Sequence, residues 1–174
     1  IILGILKLPT EYFTVLMTII ASVALFEFYS MYRTGKILMT VGLVLGAFVF
    51  ASRHYGHFPD ILLISVILIS IVRLFKRPHD PSGSLNAIDP MFFGILYIPC
   101  LMSFLLLLHD ADPGLVVFLF ITVWSGDAIA YYSGKAFGKR KLFESMSPNK
   151  TWVGAFGSLA GSLVAAVLIK MFLL

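Results

Sequence analysis

Asp127 is the residue of this chain hardest to explain without chemistry. It lies in Trp124-Ser125-Gly126-Asp127-Ala128-Ile129-Ala130-Tyr131-Tyr132, inside a run apolar enough to cross a membrane. An ionisable group at that depth is costly and calls for water, an ion or a polar partner. Ser125, Gly126, Ala128 and Ala130 flank it with small side chains that leave room for one; a structural hydrogen bond is the alternative use of the carboxylate. Directly after it comes the densest basic stretch in the chain. Lys135, Lys139, Arg140 and Lys141 follow Gly134 and Gly138, and then comes Ser147-Pro148-Asn149-Lys150-Thr151. Ser147 reads as a helix N-cap with Pro148 at the first helical position, which places Lys150 and Thr151 in the first turn. Backbone N–H groups and the helix dipole would then form an anion site beside those lysines. A carboxylate, a helix N-terminus and several cations at one membrane face suit a metal-bound polyphosphate next to a lipid headgroup. The plainer alternative is a polybasic loop that attracts anionic headgroups or sets topology. A second carboxylate inside an apolar run, Glu27, reads as paired with a neighbouring helix or as facing a water-filled crevice.

The elements that must carry these groups follow from hydropathy. Hydrophobic residues make up 59% of the 174 positions and charged residues 13%, against about 45–50% and about 25% in a soluble domain. A soluble globular protein is thereby excluded. A spanning helix needs about 20 apolar residues, with a range of about 17–25. Six stretches meet or approach that length: Tyr12–Tyr32, Ile37–Ser52, Ile61–Phe75, Met91–His109, Leu115–Gly134 and Val153–Leu174. A seventh, partial one opens the chain at Ile1. The fold class expected is all-α, a polytopic transmembrane helix bundle of about six complete spans plus that partial N-terminal one, because only helices span singly without closing a barrel. Pro99 falls inside the fourth stretch and should kink it. Gly154, Gly157 and Gly161 share one face of the last, where a neighbouring backbone can approach closely. Residues 1–174 read as a single transmembrane domain, with 134–152 as a basic substrate-binding loop and helix start.

Orientation comes from the basic residues. Arg33 and Lys36, then Arg73, Lys76 and Arg77, then Lys135, Lys139, Arg140, Lys141 and Lys150 fall in alternate loops on one side, ten of the 13 Lys and Arg. Lys7, Arg53 and Lys170 remain for the other. That asymmetry puts the basic loops in the cytoplasm. The protein is expected to be an integral, multi-pass membrane protein, in the inner or plasma membrane if its cell is bacterial. The lone Cys100 excludes an intrachain disulfide and a paired-cysteine metal site.

Residues Asp127 to Gly157 resemble the phosphatidate cytidylyltransferases, or CDP-diacylglycerol synthases. That family carries an Asp, then Ala-Tyr, a Gly-basic pair, a Gly followed by basic residues and Leu, then S-P-x-K-T-W-x-G-x-x-G. These fall on Asp127, Ala130, Tyr131, Gly134, Lys135, Gly138, Lys139, Leu142, Ser147, Pro148, Lys150, Thr151, Trp152, Gly154 and Gly157. Glu27-Phe28 also fits a Glu-Phe pair in an early span. The match covers about 30 residues, and the family's frequent Glu after the Trp is Val153 here. The family's C-terminal signature, a K-D pair, H-G-G and D-R-x-D with metal-binding acidic residues, is not among these 174 residues. The chain is therefore expected to be the N-terminal and middle part of a longer enzyme, inactive by itself.

The resemblance implies cytidylyl transfer from CTP to phosphatidic acid, giving CDP-diacylglycerol and pyrophosphate with Mg²⁺ and room for a second cation. It implies catalytic roles for Asp127 and Lys150, with Asp127 a metal ligand or the group that orients one. Phosphate contacts fall to Lys150, Lys135 and Lys139, with Ser147 and Thr151 as hydroxyl or N–H donors. Tyr131 and Trp152 would line the headgroup or base region, interfacial anchoring being their alternative. The partners implied are CTP, phosphatidic acid and membrane lipids, not nucleic acid; homodimerisation is left open. Two other functions compete. A CTP-dependent polyprenol or phytol kinase shares the nucleotide, and a transporter would use Asp127 and Glu27 as ion sites. A transporter should show paired broken helices in corresponding halves, and no internal repeat is visible.

Overall fold

The computed structural model describes residues 9–75, 90–144 and 147–173. The partial span at the N-terminus and the basic residues Lys7, Lys76 and Arg77 lie outside them. The described helices follow the apolar runs: α1 (Thr10–Met31), α2 (Lys36–Ser52), α3 (Phe58–Phe75), α4 (Pro90–Ala111), α5 (Pro113–Phe137) and α6 (Trp152–Leu173). Between α5 and α6 stands a short antiparallel hairpin, β1 (Lys141–Phe143) and β2 (Ser147–Thr151). Among the described residues, α1, α4, α5 and α6 are long and apolar enough to cross a membrane, with lengths of 22, 22, 25 and 20 residues over the apolar part of each. The apolar parts of α2 and α3, Lys36–Ser52 and Phe58–Val72, are shorter. The chain is thus an all-α integral membrane protein with a small extended insert. It divides into two compact units, Ile1–Ala111 and Asp112–Leu174.

In the first unit the turn after α1 has a physical cause. Thr34 N–H reaches back to Tyr29 O and Arg33 N–H to Ser30 O, each at 3.1 Å, the paired bonds that close a helix C-terminus. The motif needs a left-handed residue, and Arg33 takes it at φ 49°. Gly56, at φ 77°, serves the turn between α2 and α3. The core gathers Leu25, Tyr29, Leu38, Val49, Ile69, Met91 and Ile95. Tyr29 is fully buried, and its hydroxyl donates to Met91 O at 3.1 Å. Its ring occupies space that Gly42 and Gly94 leave: a Cβ at either would fall within 2.7 Å of it.

Pro99 disturbs α4 as expected. It lacks the N–H that an α-helix would use there, and the turn Leu96–Cys100 widens to π geometry. Ser103 Oγ donates to Cys100 O at 2.7 Å and accepts from Arg53 Nε at 3.1 Å. The Arg53 guanidinium lies over the Phe58 ring, 3.3 Å from its centroid, and 4.5 Å from that of Phe104. This basic residue is thus held by a hydroxyl and two aromatic faces.

The second unit is built on two long helices. α5 opens with a full set of start signals: Pro113 at the first position and Asp112 Oδ1 accepting from Gly114 N–H at 2.7 Å. It packs along α6, and both turn outward large apolar residues such as Leu119, Val123, Phe156, Leu163 and Val167, as lipid contact requires.

Candidate functional site

The site starts from missing side chains. A Cβ on Gly154 would come within 2.9 Å of Ala130 O, and one on Gly134 within 3.5 Å of Gly154 Cα. One on Gly157 would collide with Ser133 Oγ, and one on Gly161 would lie 2.6 Å from Ile129 Cδ1. The glycine face seen in the sequence is therefore where the α5 backbone lies against α6. Gly126 belongs to the same contact, since a Cβ there would strike Ser162 Oγ. Gly126 thus packs α6, and the space beside the Asp127 carboxylate lies elsewhere.

That space is a cavity of about 900 Å³ at the end of the helix pair that carries the hairpin. Six residues expected at a site line it: Asp127, Tyr131 and Lys135 from α5, and Ser147, Lys150 and Thr151 from β2. The steps of four from Asp127 through Tyr131 to Lys135 put them on one helix face. Lys135 Nζ stands 5.7 Å from the Tyr131 ring centroid, a weak cation–π contact. Lys139 and Trp152 do not line the cavity. Trp152 is half exposed and tilts against Phe156, ring centroids 6.1 Å apart.

The helix start expected at Ser147 is corrected. Ser147–Thr151 is a strand paired with β1, with Lys141 opposite Thr151 and Phe143 opposite Ser147, and α6 begins at Trp152. Pro148 is tolerated there because a two-stranded hairpin is all edge. The Trp152 N–H donates to Arg140 O at 3.1 Å, which ties the helix entry to the hairpin base. Thr151 is the true cap: its Oγ1 accepts from Gly154 N–H at 3.1 Å. Two of the first N–H groups of α6 are thus occupied by the protein, and Lys150 reaches the cavity from a strand. The positive groups that line the cavity are lysine side chains from α5 and the hairpin.

Lining residues missed among the site candidates include Ser158 of α6 and the two hairpin residues Lys141 and Asn149. The latter two owe their place to the hairpin register, which a local reading of the sequence does not supply. With them the cavity holds three lysines, Lys135, Lys141 and Lys150, against one carboxylate, an excess of positive charge suited to a polyanion. The Asp127 side chain is exposed and makes no hydrogen bond or ion pair among the described residues. It is available to a hard cation. Among the described residues no group of three or more His, Cys, Asp or Glu gathers into a metal cage. Asp127, Ser147 and Asn149 place oxygen groups on the same cavity, the ligand type that hard cations accept. Glu27 is exposed on α1 and makes no hydrogen bond or ion pair among the described residues.

Comparison with known proteins places the chain. A sequence profile described as the cytidylyltransferase family matches residues 1–174. The chain is 27% identical over 177 aligned residues to the phosphatidate cytidylyltransferase of Bacillus subtilis strain 168, covering 95% of this chain and 64% of that protein. With the Haemophilus influenzae protein of the same name it shares 47% identity over 66 residues, 37% of this chain and 23% of the other. With that of Chlamydia pneumoniae it shares 31% over 139 residues, 72% and 44% respectively. The chain spans less than two thirds of the length of each of these relatives.

The glycine contact makes a stability prediction. Gly154→Val is expected to lower the apparent melting temperature in detergent, by overpacking that costs about 1–3 kcal/mol. Ala160→Val, on an exposed position of the same helix, should leave it within error. Equal effects of the two would mean that α5 does not rest on Gly154.

Proposed function

The chain belongs to the cytidylyltransferase family, and from that premise we propose that it is the part of a phosphatidate cytidylyltransferase that gathers the polyphosphate at the membrane surface. The full protein would transfer the cytidylyl group of CTP to phosphatidic acid. A phosphate oxygen of the lipid attacks the α-phosphorus of CTP; the bond to the β-phosphate oxygen breaks, and CDP-diacylglycerol and pyrophosphate leave. The observation that carries the reading is the cavity itself, where three lysines and a carboxylate line one space at the end of two membrane-length helices. The family relationship favours neither a transporter nor a lipid kinase.

In this reading Lys150, Lys135 and Lys141 hold the triphosphate as point charges, and the Ser147 hydroxyl offers a further donor. Lys139, off the cavity lining, contributes to the surrounding field. Tyr131 stands where a base or headgroup would pass, while Trp152 anchors at the interface. Asp127, with Ser147 and Asn149, would hold Mg²⁺ against the phosphates. Such an ion neutralises charge on the triphosphate and stabilises the transferring group. The protein's own part is positioning and preorganised charge. We also propose that α2 and α3 complete a set of about six spans, and that the 33–36 and 135–150 loops face the cytoplasm, where CTP is supplied; the ten-to-three basic asymmetry supports this.

Two measurements test the proposal. In CTP titrations of the full-length protein in mixed micelles, Lys150→Ala should cost about 1–3 kcal/mol in CTP use, as loss of a charge-assisted bond does. Lys150→Arg, which keeps the charge with the wrong shape, should cost less, and Asp127→Asn should lower turnover at least about tenfold. Wild-type behaviour in both Lys150→Ala and Asp127→Asn would remove these residues from the site. For sidedness, a cysteine placed at Asn149, after replacement of Cys100, should react in sealed inverted vesicles with an impermeant reagent. Protection there, with labelling from the opposite side, would reverse the orientation.

A further inference from the structure

We infer that Thr151 is a positioning residue that acts through Lys150, and that its hydroxyl serves the protein and not the substrate; the inference rests on the CTP reading of this cavity. Thr151 is only 6% exposed. Its Oγ1 accepts the Gly154 N–H at 3.1 Å. Glycines leave room around it. A Cβ at Gly138 would lie 2.6 Å from Thr151 Oγ1 and 2.7 Å from its Cγ2, and one at Gly134 would lie 3.0 Å from Oγ1. The side chain therefore fills the hollow left by Gly134 of α5 and Gly138 at its C-cap, while capping the following helix.

Three independent restraints meet at this residue. Lys141 opposes it across the hairpin, the next N–H in the chain (Trp152) donates to Arg140 O at 3.1 Å, and the cap holds the first turn of α6. Lys150 is its neighbour and is exposed to the cavity. A lysine ammonium rides on a flexible four-carbon stem, so the protein can fix only where that stem begins. Thr151 fixes it. If the cap bond is lost, Gly154 N–H needs another acceptor, the strand end can turn, and the Lys150 stem moves with it. The β-branched shape matters as well, because the methyl group locks χ1 against the glycine hollow.

The test is a double-mutant cycle on the full-length protein, read as the KM for CTP and as kcat per folded molecule. Thr151→Val keeps the shape and loses the acceptor; it should raise KM about tenfold with a smaller change in kcat. Thr151→Ser keeps the acceptor and should give a distinctly smaller rise. In a Lys150→Ala background, Thr151→Val should add less than about twofold, because the residue it positions is gone. Should Thr151→Val fail to fold, Thr151→Ala removes the acceptor without adding bulk and takes its place in the cycle. A wild-type KM in folded Thr151→Val or Thr151→Ala, even with a lowered melting temperature, would leave Thr151 a purely structural cap and overturn the inference. Effects that multiply in the double variant would make it a direct substrate contact and overturn it equally. A wild-type protein without any CTP dependence would defeat the proposed function and this inference together. CTP dependence with an unaltered Thr151→Val defeats this inference alone.

Discussion

The close approach of two helix backbones, α5 and α6, is the constraint on which the candidate site depends. In a bilayer no hydrophobic gain favours helix association, so packing must supply it, and small residues permit the closest contact. Here Gly126, Gly134, Gly154, Gly157 and Gly161 would each meet the opposite helix within 3.5 Å if given a Cβ. Such packing brings Asp127, Tyr131 and Lys135 on one helix within reach of residues that enter the other. The chain between the two helix ends carries the paired strands Lys141–Phe143 and Ser147–Thr151. The cavity is the space this geometry leaves open.

Charge is then placed where it costs least. The three lysines of the cavity sit at the end of α5 or on the hairpin, at the edge of the apolar region. The single carboxylate, Asp127, lies about two helical turns back along α5 from Lys135 and lines the same cavity. A carboxylate there is held at a cost that three nearby cations and a bound ion would offset. The first unit carries no comparable arrangement among its described residues. Arg53 there is already engaged by Ser103, Phe58 and Phe104, and on α1 the Thr18 and Ser22 hydroxyls donate to carbonyls of their own helix.

Much of this was legible in the sequence because it is local. Apolar runs placed the six helices of the described residues to within a few positions, Pro99 marked the distorted turn of α4, and the spacing of Gly154, Gly157 and Gly161 marked the packed face. What escaped depends on partners distant along the chain. Ser147-Pro148 carries the same signals as a helix start, and only pairing with Lys141–Phe143 turns it into a strand. That pairing moved the cap to Thr151, set the entry of Lys150, and brought Lys141 and Asn149 into the lining in place of Lys139. The room around Asp127 was misplaced for a similar reason, since Gly126 is filled by Ser162 of a helix 36 positions away.

We propose that this cavity serves transfer of a nucleotidyl group, and the fate of the CTP phosphorus atoms tests it. The full-length protein, given phosphatidic acid and CTP labelled either in the α- or in the γ-phosphate, should carry the α label into solvent-extractable lipid and leave the γ label in aqueous pyrophosphate. Recovery of the γ label in lipid, with the α label left in water, would make the protein a kinase and contradict the account.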